Sequence, residues 1–334
     1  MLKKKLIIIW CALAATFFLL CVSYFDLPQV LKQEKHSVTI AVSTTPLSTP
    51  FYVAKAINAF DDTCVEVEYQ VVTGRQVAFE RVMNGKVDFA TSSDSVIAFE
   101  SLKSQAFVTH AMFVQSDNDV KLITRSADDI ATITDLKGKR IGVTRGTASE
   151  YILTTLLAIE GLTIEDIQLR NYSPEKLIAG FKRHEVDAIL PWEPFVFQAM
   201  QAFEDEIKIH DTKSLSTLSF NLISQAGEQL LVDKAECVIQ GLHTAIHYIT
   251  SHPQQAKNIV IAELNVAPEF IDWVWPDYIF KLGLNQSLIL NVNAQANWAI
   301  GAQMTTAVGV ANAVNFIDSR ALLKVDSGAV NISL

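Results

Sequence analysis

Beyond its first 25 residues this 334-residue chain holds two cysteines, Cys64 and Cys237, too few for a disulfide scaffold. An oxidising compartment would permit one bridge, but the residues alone favour two buried, small apolar side chains. Positive charge is scarce as well. The formal net charge is -9 and no basic block follows Lys3-Lys4-Lys5, which excludes nucleic acid as an expected partner. There is no phosphate-binding loop, no nucleophile elbow and no G-x-G-x-x-G, so nucleotide hydrolysis and acyl transfer lack their parts and no cofactor is expected. His243 and His247 stand four apart on one helix face with His252 nearby, yet no carboxylate or cysteine completes a ligand set. They read as a structural helix face, and no metal is expected. Low-complexity tracts and solenoid repeats are missing too. What is present is apolar material, 50% of the residues, enough for two lobes of ordinary domain size.

The N-terminus reads as a leader. Lys3 to Lys5 precede an uncharged apolar run, Leu6 to Phe25, in the pattern of a secretory n-region and h-region. A run of about 20 residues is also long enough to span a bilayer with the lysines cytoplasmic, so a cleaved signal and a retained signal-anchor both stay open. Cys21 is preceded by Leu20 where lipid attachment needs a small residue. Residues 26–37 are polar, contain Pro28 and read as a spacer.

From Val38 the chain alternates short apolar runs with helical periods. Strands are expected at Val38–Val42, Val65–Val72 and Val87–Ala90, each followed by a polar exit and a helix. Phe107–Val114 and Val120–Thr124 read as strands leading out of a first lobe. Arg140–Thr144, Ile167–Arg170, Val186–Leu190 and Ile207–His210 then repeat the alternation, and Leu218–Ser224 carries the chain back. The expected divisions are 38–124 for the first part of lobe 1, 125–215 for lobe 2 and 216–334 for the return to lobe 1. After Gly227 the pattern is helical, at Glu228–Ser251, Pro253–Leu264, Pro268–Tyr278 and Val292–Val308, with no comparable β-rich run. Pro253 and Pro268 fit the first turns of helices.

Four strand exits carry polar or aromatic residues: Ser43–Pro50, Thr91–Asp94, Thr144–Ser149 and Pro191–Pro194. The third lies in DLKGKRIGVTRGTASEYILTTLLAIEG, Asp135–Gly161, where strand, glycine turn and hydroxyl-capped helix leave backbone N–H groups beside Arg145 for a polar ligand.

The runs D-L-K-G-K-R-I-G-V, G-T-A-S-E-Y-I-L, V-D-A-I-L-P-W-E-P-F and V-D-F-A-T-S-S-D together resemble the nitrate/sulfonate/taurine substrate-binding proteins of ABC importers, a superfamily shared with binders of thiamine-precursor pyrimidines. The resemblance covers most of Val38 to Ser333. It implies an α/β, two-lobed type II periplasmic-binding-protein fold, hinged at two crossovers, with a helical C-terminal part packed on lobe 1. It further implies a non-enzymatic, extracytoplasmic, monomeric protein that closes over a small organic anion or zwitterion and delivers it to a membrane ABC permease. A pyrimidine binder and a membrane-tethered sensor are the alternatives.

Carried over by position, the ligand shell would comprise Ser48, Thr49 and Phe51, then Ser92 and Ser93, then Arg145, Thr147, Ser149, Trp192 and Glu193. Hydroxyls and amides suit an oxyanion, while Trp192 and Phe51 offer apolar walls. Glu193 would repel nitrate but could pair with the amine of a zwitterion. Each has a structural reading beside it. Phe51 and Trp192 could pack in the core, Glu193 could cap a helix, the hydroxyls cap helices, and Arg145 could pair with Glu150.

Overall fold

In the computed structural model, residues 35–103, 106–210, 212–213, 215–307 and 312–332 are described. The leader, residues 26–34 of the spacer and the end of the helix expected to reach Val308 fall outside them.

Parallel strands come first. β1 (His36–Ser43) pairs residue by residue with β2 (Val65–Val72), from His36 opposite Val65 to Ser43 opposite Val72. Helix α1 (Thr49–Ala56) lies between them, and α2 (Arg75–Met83) leads to β3 (Phe89–Ser93), which pairs with the other side of β1. β3 is buried along its whole length, as a central strand covered on both faces must be. Helix α3 (Asp94–Glu100) and β4 (Phe107–Ser116) complete this part.

The chain then crosses to a second sheet of β5 (Leu122–Arg125), β6 (Arg140–Val143), β7 (Gln168–Asn171), β8 (Ala188–Ile189) and β9 (Ile207–His210), in the order β7-β6-β8-β5-β9. Its helices are α4 (Ala148–Ile159), α5 (Pro174–Lys182) and α6 (Phe195–Phe203). The period of two in its short strands sorts side chains to opposite faces. Leu122, Ile141 and Val143 meet Leu153, Leu156 and Leu157 of α4, whereas Ile123 and Ile189 meet Leu177 and Phe181 of α5 and Val196 of α6. Each such side chain contributes about 1.5–3 kcal/mol on burial.

β10 (Leu218–Gln225) returns to the first sheet and inserts antiparallel between β3 and β4. Helices α7 (Gln229–Ser251), α8 (Pro253–Leu264) and α9 (Pro268–Val274) follow, then β11 (Tyr278–Asn285), α10 (Gln286–Gly301), α11 (Arg320–Val325) and β12 (Val330–Asn331). The first sheet therefore has seven strands in the order β12-β11-β4-β10-β3-β1-β2.

Three expectations need correction. The C-terminal part is not purely helical, because β11 pairs antiparallel with β4. Its alternation of Tyr278, Phe280, Leu282 and Leu284 was legible, but Pro276 before it and Gly283 within it weaken the strand signal, and the register shifts between Phe280 and Gly283. The helix expected to run to Tyr278 stops at Val274, and the next one spans Gln286–Gly301. The strand near Val120–Thr124 pairs with β8 and β9, so the crossover lies before it, at Asp117–Lys121, rather than near Arg125.

The cysteines also depart from the apolar reading: Cys64 and Cys237 form a disulfide that ties the start of β2 to α7. Two residues 173 apart in sequence cannot signal their meeting. One turn after Cys237, Gly241 lets α7 press against Phe60, where a Cβ would come within 2.3 Å of the ring. A bridge closing so long a loop contributes about 2–4 kcal/mol.

Candidate functional site

The two sheets meet at a small cavity lined from both sides and from the crossovers. Asp94 and Ser95 open α3, Ser116 ends β4, Leu218 begins β10 and Gln295 comes from α10. Ala148 and Ile152 of α4 face them from the second sheet, and Asp117, Asp119, Val120, Thr212 and Ser216 belong to the two crossovers. With a volume of about 30 Å³ it has room for about two waters. An organic solute could enter only if the lobes part. The rings of Tyr151 on α4 and Trp298 on α10 meet across the junction at 5.6 Å.

Three carboxylates and no Lys, Arg or His are among the residues lining the cavity. Asp94 is wholly buried, and burial pushes its carboxyl up to about 7 against the opposing pull of the Ser95 and Ser219 amides, Arg75 and Gln295. Its Oδ1 accepts from the Ser95 amide at 2.8 Å. Its Oδ2 accepts from the side chain of Asn291 and, at 3.3 Å, from Nε2 of Gln295. Asp119 is 4% exposed; Oδ2 takes Arg75 at 3.3 Å, and buried Oδ1 has no protein donor. Gln295, 2% exposed, likewise carries an Oε1 without a donor. Leaving a buried acceptor unpaired costs about 1–3 kcal/mol.

None of the ten sequence-predicted residues lines this cavity, although they bracket it in sequence. The hydroxyls of Ser93, Thr147 and Ser149 bond within the fold. Ser93 Oγ accepts from Val96 N, Thr147 Oγ1 accepts from Ser149 N at 3.2 Å, and Ser149 Oγ donates to the Leu190 carbonyl at 2.6 Å. Thr49 donates to the Pro46 carbonyl. Ser48 and Ser92 are fully buried with hydroxyl oxygens that lack partners. Phe51 sits in the core of the first sheet, edge-on to Phe113 at 5.1 Å and Tyr69 at 6.5 Å, a packing role rather than a cleft wall. Arg145 is largely exposed and pairs with Glu150 at 3.2 Å. The positive φ of Gly146 in that turn lets its amide donate to the other Glu150 oxygen at 2.8 Å.

Trp192 packs against the α4 side of the second sheet and bridges Val120. Glu193, 6% exposed, turns toward the crossover. Its Oε1 accepts from Lys121 at 3.3 Å and from the Trp273 indole at 2.8 Å, while Oε2 accepts from the Phe197 amide at 3.2 Å. Burial raises its carboxyl above the usual range against the pull of Lys121 and Trp273. Lys121 also donates to the Asn118 carbonyl at 2.5 Å and lies 5.4 Å from the centre of the Trp273 ring. Sequence reasoning missed Asp119 and Gln295 as cavity residues and took Asp94 as a cap; a carboxylate at the end of the hydroxyl row T-S-S-D was the one signal.

The sequence profile of the family described as NMT1/THI5 like matches residues 45–256, more than half of the chain. The chain belongs to that family. It is 24% identical over 174 residues to the taurine-binding periplasmic protein of Escherichia coli (strain K12), covering 52% of each chain. The chain spans about half or less of the length of the curated relatives it matches, 36% to 52% for those of E. coli and 44% for those of Brucella. Among solved structures, the periplasmic aliphatic sulphonate binding protein SsuA from E. coli superposes with a TM-score of 0.70 at 15% identity, over 85% of this chain and 100% of that one. The alkanesulfonate-binding protein SsuA from Xanthomonas axonopodis pv. citri, bound to MOPS, gives 0.67 at 18% identity, over 86% and 99%. The family member thus has the two-sheet α/β fold of periplasmic binding proteins.

Proposed function

We propose that this protein is the extracytoplasmic solute-binding component of an ABC importer, capturing a small organic anion or zwitterion by closure of its two lobes. The cavity at the junction of the two sheets carries this reading, because its walls come from both sheets and from the crossovers that let them move. An open form would bind solute on one wall and gain the other on closing, so the differential affinity shifts the population toward the closed state. The closed state is the one a membrane permease would read. The Cys64–Cys237 bridge supports an oxidising, extracytoplasmic location, as do periplasmic relatives. Among the described residues no helix is long and apolar enough to cross a membrane. A cleaved signal or a retained anchor at residues 6–25 would deliver the fold to the outer face. No nucleophile–base pair is needed, and capture without turnover is the role. Small-angle scattering with and without a panel of zwitterions, sulfonates, nitrate and pyrimidines tests it. A cognate class should shrink the radius of gyration and raise the melting temperature; an unchanged profile across the panel would contradict solute capture.

A further inference from the structure

We propose that Asp94, Asp119 and Gln295 form a subsite for a positively charged nitrogen, so that the solutes are organic ammonium compounds or zwitterions carrying one, and not bare anions. The inference rests on the solute-binding reading above and names the chemistry of its ligand.

Acidity alone would not carry it. The deciding observation is hydrogen-bond accounting: of the polar atoms on the cavity's residues, those buried without a partner are Asp119 Oδ1 and Gln295 Oε1, and both are acceptors. Buried acceptors call for donors, and a protonated amine supplies up to three N–H groups with the charge that suits Asp94 and Asp119. A sulfonate or nitrate brings only acceptors. It would meet like charge and leave the same two oxygens unpaired. Arg75 does not reverse this balance, since its guanidinium faces Asp119 at 3.3 Å and lies over the Phe220 ring at 5.0 Å. A metal ion is the poorer fit among cations, because no three His, Cys, Asp or Glu side chains converge as ligands among the described residues. Ile152, Val120 and Leu218 add apolar wall, which suits an organic cation.

Glu193, the amine partner expected from sequence on chemical grounds, does not play that part in this scheme. Its oxygens are already occupied by Lys121, Trp273 and the Phe197 amide.

The pH response follows from geometry and charge together. Arg75 from α2, Asp117 and Asp119 from the first crossover and Tyr151 from α4 are the charged or titratable groups around Asp94, with Asn291 and Gln295 approaching from α10. A cationic solute prefers ionised Asp94, so its affinity should be full above about pH 7 and fall as Asp94 is protonated below it.

Matched probes test the proposal by thermal shift and calorimetry at pH 8: primary aliphatic amines, amino acids and taurine, each beside its nitrogen-free carboxylate or sulfonate analogue. Stabilisation is expected only from nitrogen-bearing members, with binding weakened about 10- to 100-fold in Asp94→Asn and in Asp119→Asn. Two separate variants guard against one failing to fold. Binding by nitrogen-free anions would overturn the subsite while leaving solute capture standing. Nitrogen compounds that bind both variants as tightly as the parent would overturn the assignment of these residues. No binding by any probe would overturn the subsite and the solute-binding reading together.

Discussion

Two buried carboxylates in this molecule, Glu193 and Asp94, lie in opposite situations. Glu193 has a lysine, an indole N–H and a backbone amide on its two oxygens, and these lock the second sheet's exit to α9 beside the crossover. Asp94 accepts only from neutral donors and shares its cavity with acceptors that have no donor. A buried carboxylate with a cation bonded to it serves the fold, whereas one at a cavity wall that bonds only neutral donors, with Arg75 acting on it without a hydrogen bond, is held ready for a partner from outside. The contrast reverses the expectation from sequence, in which Glu193 faces the ligand and Asp94 caps a helix.

The largest effect should come from breaking the satisfied pair. Glu193→Ala takes from Lys121, whose side chain is 4% exposed, its nearer carboxylate and leaves Asp277 at 4.0 Å as its remaining counter-ion, so denaturant unfolding should show a loss of about 3 kcal/mol, the low end for breaking a buried pair. If the loss stays below about 1 kcal/mol, the hinge knot is not structural. Asp94→Asn should behave oppositely, sparing or raising stability while weakening binding.

The pH dependence sharpens the same contrast. The folded-state value of Asp94 lies near 7, above its unfolded value of 3.8. The native protein therefore holds a proton that the unfolded chain has released, and stability from this group falls as pH rises from about 4 to 7 and levels off above. His110 works in the other direction, because burial depresses its value from 6.5 to about 4, so its contribution falls as pH drops through that window. The two partly cancel in the parent. Comparing parent and Asp94→Asn isolates the carboxylate: the variant should gain on the parent between about pH 4 and 7, and a constant difference would contradict the assignment. The smallest effect belongs to Arg145→Ala. Its guanidinium is largely exposed and the buried Glu150 carboxylate keeps the Gly146 amide, so the ion pair should contribute about 1 kcal/mol, with solute affinity unchanged.

Much of the fold was legible because local signals agreed with it. Apolar runs followed by hydroxyl-rich exits marked β1, β3 and β6, and proline at the first turn marked α8 and α9. β11 was missed where Pro276 and Gly283 interrupt an otherwise regular alternation. The disulfide is not legible in the sequence, since its partners meet only through the tertiary fold. The site was harder to read. Hydroxyls at Ser93, Thr147 and Ser149 look the same in sequence whether they cap a helix or face a ligand, and here they bond within the fold. Asp119 and Gln295 lie 176 residues apart and become neighbours of one cavity only when β10 and α10 fold back onto the first sheet.

What the cleft holds in its closed state decides between these roles, and mass spectrometry of small molecules released from the purified native protein reads that directly. A released solute carrying a protonatable nitrogen is the predicted result. A nitrogen-free organic anion, or nitrate, would contradict the division of labour between Asp94 and Glu193.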